Sequence, residues 1–131
     1  MFVRDVMTEA VATVDLDATI QDVLNTMVGR DVRHVPVVED GELRGMVSDR
    51  DVRSWTQNGE RGRSGHASLN ESVTAVMECD VISFSSEARL ADLVDTMIDH
   101  KVGAVPVTSG DQLIGIVSYI DILRIARREL D

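Results

Sequence analysis

The chain contains itself twice. Shifting the numbering by 70 lays the second half on the first without a gap. Val6-Met7 falls on Val76-Met77, Asp22 on Asp92, Thr26-Met27 on Thr96-Met97, and Val35-Pro36-Val37 on Val105-Pro106-Val107. The last block is the sharpest: Gly45-Met46-Val47-Ser48-Asp49-Arg50-Asp51 falls on Gly115-Ile116-Val117-Ser118-Tyr119-Ile120-Asp121, with Gly, Val, Ser and Asp in register. A fixed period names the structural unit and predicts that neighbouring units bury each other's apolar faces. Two copies make a pseudo-two-fold pair.

Each copy has the same coarse pattern. A short extended segment (Val11 to Val14; Val81 to Phe84) leads into apolar residues spaced i, i+3, i+4, i+7, i+8. These are Ile20, Val23, Leu24, Met27 and Val28, then Leu90, Leu93, Val94, Met97 and Ile98. That spacing predicts an amphipathic helix with one buried stripe. Val35 to Val38, the turn residues Glu39-Asp40-Gly41, and Leu43 to Val47 predict a β-hairpin. Val105 to Thr108, Ser109-Gly110-Asp111 and Leu113 to Val117 repeat it, and a second helix opens at Ser48 or Ser118. The expected fold class is α/β, each repeat a small sheet packed with two helices. The repeats are expected at 1–56 and 69–131, joined by a flexible linker at 57–68 whose Gly-rich centre carries Arg61 and Arg63.

A half of roughly 60 residues is marginal alone, and aromatics are few: Phe2, Trp55, Phe84 and Tyr119. The core must therefore be Val, Ile, Leu and Met. The start, Met1-Phe2-Val3-Arg4-Asp5, lacks the apolar run of a signal peptide, and no stretch is long enough to span a bilayer. A cytoplasmic protein without membrane insertion is expected. The one cysteine, Cys79, cannot form an intramolecular disulfide and reads as a small linker or core residue. A net charge of -10 argues against nucleic-acid partners. One lysine, Lys101, stands against 12 arginines, and 15 Asp against 8 Glu. Such a surface repels itself in dilute buffer and is screened at molar salt, so a salt-adapted, halophilic setting is expected.

Ser48-x-x-Asp51 and Ser118-x-x-Asp121 each stand where a strand gives way to a helix. The structural reading is a capping box, in which Ser and the acidic residue at N3 satisfy orphan amides. The functional reading uses the same place differently. Free N–H groups and a hydroxyl at a helix start suit a phosphate or a ribose edge, and a carboxylate can accept from two vicinal hydroxyls at once.

The paired repeats, the opening Val6-Met7-Thr8, the stretch His34-Val35-Pro36-Val37 and the Gly-x-Val-Ser-x-x-Asp ending resemble a tandem cystathionine β-synthase (CBS) domain pair, the Bateman module. The resemblance covers Val3 to Arg124. The second copy departs from the pattern where Glu78 replaces Thr8 and where Gly103-Ala104 replaces Arg33-His34. It implies a regulatory adenine-nucleotide binder, taking AMP, ADP, ATP or an S-adenosyl ligand, with or without Mg, in two clefts between paired domains. Asp51 and Asp121 would accept the ribose hydroxyls, with Ser48 and Ser118 as partners. Thr13 and Ser83 would flank the base, and the residues around each Val-Pro (Arg33, His34, Val35, Pro36; Gly103, Ala104, Val105, Pro106) would reach toward phosphate. Arg33, His34 and Arg50 supply positive character near the first motif. Gly103, Ala104, Tyr119 and Ile120 do not, so the Asp51 site is expected to favour phosphate and the Asp121 site a neutral adenosyl group or nothing.

An enzyme is not expected. No Cys/His cluster has metal-ligand spacing, His34, His66 and His100 have no nucleophile beside them, and the Ser-x-x-Asp pairs lack a base. No catalytic domain is expected beside the repeats, so output is expected through an effector protein or a change in self-association, with a homodimer as the assembly. Two alternatives stand beside the sensor: a non-binding oligomerisation module in which the motif residues are only caps, and a divalent-cation sensor drawing on the Asp-rich faces.

Overall fold

The computed structural model describes residues 1–58 and 68–131. Of the expected linker at 57–68, residues 59–67 lie outside the described residues, while Gln57 and Asn58 close a helix instead. The chain forms two compact units, and these are not the two repeats. One unit is Ala12–Asp80; the other joins Met1–Val11 to Val81–Asp131.

In the unit Ala12–Asp80, β1 (Val14–Asp15) is followed by α1 (Ile20–Arg30), the hairpin strands β2 (His34–Glu39) and β3 (Glu42–Ser48), and α2 (Asp49–Asn58). β1 runs parallel to β2, and β2 antiparallel to β3, with His34 opposite Ser48. Asp40 (φ 52°) and Gly41 (φ 81°) both take the left-handed turn conformation that a two-residue hairpin connection demands. α1 begins at a capping box: the Asp22 amide donates to Thr19 Oγ1 (3.1 Å) and the Thr19 amide to Asp22 Oδ2 (2.9 Å). Asp31 ends it in the left-handed region. Ile20, Val23, Val35, Val37, Val47 and Val73 are fully buried in one core, to which α2 adds Val52 and Trp55.

The other unit repeats this plan with α3 (Leu90–His100), β4 (Ala104–Ser109), β5 (Gln112–Ser118) and α4 (Tyr119–Glu129). Ala104 stands opposite Ser118. Its core is Val3, Leu93, Met97, Val105, Val107 and Val117.

The segment leading into each repeat packs with the other repeat's body. Val3–Asp5 and Val73–Ala75 are single 3-10 turns. The peptides of Thr8 and Ile116 exchange two hydrogen bonds (2.8 and 3.0 Å), and those of Glu78 and Met46 do the same (2.9 and 3.0 Å). Each sequence opening thus extends the last strand of the opposite repeat. The same segments supply acceptors for orphan amides at helix starts: Met1 O for Leu90, and Glu71 O and Leu69 O for Ile20 and Gln21.

Two expectations change. The early strands shrink to Val14–Asp15 and a single Phe84–Val107 bridge, with residues 11–13 and 81–83 outside any strand. The helix stripes are also narrower: Val28 is 83% exposed and Ile98 65%, since each lies at the edge of a stripe whose buried centre is Ile20, Val23 and Met27 in α1 and Leu90, Leu93 and Met97 in α3. Of the two readings of Cys79, linker or core residue, its exposure removes the core one. No helix among the described residues is long and apolar enough to cross a membrane.

Candidate functional site

The turn from β3 into α2 gathers the polar residues of the first repeat. The Ser48 amide donates to Asp51 Oδ2 (2.8 Å), and the Asp51 amide donates to Ser48 Oγ (3.1 Å). The capping box expected from the spacing is therefore formed. It uses one carboxylate oxygen; among the described residues, Asp51 Oδ1 has no hydrogen-bond or ion-pair partner. In the second repeat the Ser118 amide and Oγ both donate to Asp121 Oδ2 (2.8 and 3.2 Å). There the other oxygen faces a cation, with Arg124 Nη1 3.7 Å from Asp121 Oδ1.

The hairpin register brings the residues before Val-Pro to the same place. His34 lies across from Ser48, and the Asp49 amide donates to the Arg33 carbonyl (2.9 Å). Arg33 Nη1 reaches Asp49 Oδ2 at 3.3 Å, and Arg53 Nη2 reaches the same oxygen at 3.7 Å. Ion pairs this exposed contribute about 0–1 kcal/mol to stability. Burial pushes the His34 imidazole below the usual histidine range, while Asp49 and Asp51 pull it upward and Arg33 pushes it further down. This direction runs against the positive character expected of His34 beside the first motif. Arg50 projects from the first turn of α2 as an exposed side chain.

The remaining candidates divide by burial. Val35, Pro36, Val105 and Pro106 are buried, so their side chains build the hairpin cores. Ala104 is buried as well, and Gly103 is half-buried with its carbonyl accepting from the Tyr119 amide (2.9 Å). Thr13 is half-buried just before β1. Ser83 is exposed, and its Oγ accepts from Thr108 Oγ1 (3.3 Å). Tyr119 and Ile120 are exposed at the start of α4. Three charged groups escaped the sequence reading: Asp49, Arg53 and Arg124. Asp49 and Arg53 stand at i and i+4 in α2 and Asp121 and Arg124 at i and i+3 in α4, spacings that announce helical ion pairs.

The CBS domain model matches residues 3–58 and again residues 73–128. The chain belongs to the CBS domain family, as a tandem pair. It is 35% identical over 120 residues to the CBS domain-containing protein YhcV of Bacillus subtilis, covering 92% of this chain and 81% of that one. Two solved CBS structures share its fold at lower identity. The CBS domain pair of protein MJ0100, in complex with 5′-methylthioadenosine and S-adenosyl-L-methionine, superposes with a TM-score of 0.85 at 20% identity, covering 99% of this chain and 98% of that one. CBSX2, in complex with AMP, gives 0.83 at 24% identity, covering 97% and 96%.

Proposed function

We propose that this CBS pair is a regulatory sensor of adenine nucleotides or S-adenosyl compounds, and not a catalyst. The observation that carries the reading is the Asp51 carboxylate, clamped through Oδ2 by the Ser48 amide with Oδ1 left over at a helix start. An acceptor fixed this way is pre-oriented for a cis-diol, since it loses little freedom when the hydroxyls bind. The MJ0100 pair and CBSX2 hold adenosyl ligands on the same fold, but at identities that speak for the fold alone. What favours a ligand on this chain is therefore its own motif residues, Ser48 and Asp51.

The two motifs differ in electrostatic character. Arg33 and Arg53 on Asp49, with Arg50 exposed beside them, support a phosphorylated ligand at the first, with or without Mg. The second has Tyr119, Ile120 and Leu123 at the equivalent positions and one cation, Arg124, paired with Asp121, which suits a less charged adenosyl group. Output would pass to an effector protein or through a homodimer. Support for self-association comes from α4, which has no fully buried residue and exposes Tyr119, Ile120 and Leu123. The acidic, lysine-poor composition supports a salt-adapted cytoplasmic setting, in which the melting temperature rises as sodium or potassium chloride approaches molar; a flat response would count against it.

The capping boxes also favour a second reading, in which Ser48, Asp51, Ser118 and Asp121 only start helices and the module oligomerises without ligand. The cation alternative rests on charge alone, since no three His, Cys, Asp or Glu among the described residues gather to hold an ion. Isothermal titration with AMP, ADP, ATP and S-adenosylmethionine, each with and without magnesium, separates the three. Saturable one-to-one or two-to-one heats with an adenosyl compound are expected. Heats with magnesium alone, or with nothing, would overturn the sensor reading.

A further inference from the structure

Asp49 stands between the cap residue and the ribose candidate, and it holds two cations. Both Arg33 (3.3 Å) and Arg53 (3.7 Å) meet the same oxygen, Oδ2. A paired fork, in contrast, uses both carboxylate oxygens and fixes the guanidinium plane. The arginine side chains are 69% and 64% exposed. Asp49 therefore neutralises these arginines without locking them in place.

The repeat supplies an internal comparison. Seventy residues on, Arg33, Asp49 and Arg53 become Gly103, Tyr119 and Leu123. The backbone bond survives the change: Tyr119 donates to the Gly103 carbonyl at 2.9 Å, as Asp49 does to Arg33. All three charges are replaced together while the strand-to-helix turn keeps its form. They are not needed to build the turn.

We propose that Asp49 is a specificity-determining residue, a resident anion on Arg33 and Arg53 that competes with the phosphates of a bound nucleotide and limits how much affinity each added phosphate charge brings. The inference rests on the reading of Asp51 as a ribose acceptor. Arg33 and Arg53 both pair with Asp49 at this helix start, so each phosphate charge of a ligand gains less from them than two unpaired guanidinium groups would supply. Removing the Asp49 charge releases Arg33 and Arg53 to the ligand. Asn at this position keeps the amide that bonds to the Arg33 carbonyl.

The test is calorimetric titration of the full chain with adenosine, AMP, ADP and ATP, comparing wild type with Asp49→Asn, and with Asp99→Asn as a control that changes net charge equally from an exposed position on α3. Adenosine affinity should stay within about twofold. ATP should bind about fivefold tighter or more in Asp49→Asn, the factor that one unit charge at about 4 Å gives in water-like surroundings, with AMP in between and a steeper salt dependence for ATP. Asp99→Asn should leave the ranking as in wild type. A Asp49→Tyr variant, which installs the side chain that the second repeat carries, should move ATP in the same direction. Equal shifts for all four ligands, or weaker ATP binding because Asp49 positions Arg33, would overturn the proposal. Wild type binding none of the four would defeat the nucleotide reading and this inference together. Wild type binding with an unchanged ATP-to-adenosine ratio in Asp49→Asn defeats this inference alone.

Discussion

Met7 Sδ fills the space beside Gly115: a Cβ at position 115 would stand 2.8 Å from it and 3.2 Å from the Thr8 carbonyl oxygen. A Cβ at position 45 would likewise stand 2.8 Å from Met77 Sδ and 3.0 Å from the Glu78 carbonyl oxygen. The glycine of the Gly-x-Val-Ser ending thus exists to let the opening segment cross the strand. Alanine at either site should cost about 1–3 kcal/mol through overpacking, and Gly45→Ala should cost more because its nearer backbone oxygen cannot swing away as a thioether can. Gly29 in α1, where a Cβ would meet nothing within 4 Å beyond its own helix, is the counter-case; Gly29→Ala should stabilise by about 0.5–1 kcal/mol. Thermal melts of the three variants decide the matter, and equal behaviour at all three positions would refute the crossing contact.

Val3 is fully buried in the core of the unit that holds β4 and β5, not the unit of the repeat it begins. Val3→Ala should therefore lower amide-exchange protection in α3, β4 and β5 and leave α1, β2 and β3 near wild type. Val73→Ala, at the equivalent position, should do the reverse. Loss of protection confined to each residue's own repeat would contradict the exchanged segments.

Capping and ligand binding at Asp51 can be pulled apart. Asn at position 51 keeps an acceptor for the Ser48 amide, so Asp51→Asn should change stability by no more than about 1 kcal/mol. Losing the charge on two hydroxyl contacts should weaken a nucleotide about ten- to hundredfold. Asp51→Asn is expected to harm AMP or ATP binding more than Asp121→Asn. Equal harm removes the asymmetry between the motifs; unaltered binding in both leaves capping as their only role.

His34 titrates below the usual histidine range, chiefly because it is buried. The folded state then binds fewer protons than the unfolded chain, so this group's contribution to stability is complete above the ordinary value of about 6.5 and is lost as pH falls through the lower folded value. Between pH 7 and 5 the wild type should lose more stability than His34→Gln, and the two should run parallel above pH 7. Denaturant midpoints across that range measure the difference, and parallel curves throughout would remove His34 as its source.

The period of 70 made the two α/β repeats legible, because each places Val, Leu and Met at helical spacing and β-branched residues around a Gly-bearing turn. Local rules of this kind act over a few residues. They are written in the residues themselves. The helix starts at Ser48 and Ser118 follow from the same logic, as do the hairpins that set His34 against Ser48 and Ala104 against Ser118. Tertiary structure decided what those rules do not reach. Which body Val3 and Val73 pack into depends on chain crossing, and the repeat alone is equally compatible with each segment staying at home. Val28 and Ile98 continue the apolar spacing yet stand exposed, since a helix stripe says which residues could be covered and not how far the covering core extends. The charges around Asp51 were visible one by one, but not that Arg33 and Arg53 converge on a single oxygen of Asp49. The Arg53 contact follows from one turn of α2, but Arg33 joins it only when β2, β3 and α2 meet, because it lies 16 residues before Asp49 with no periodicity linking the two.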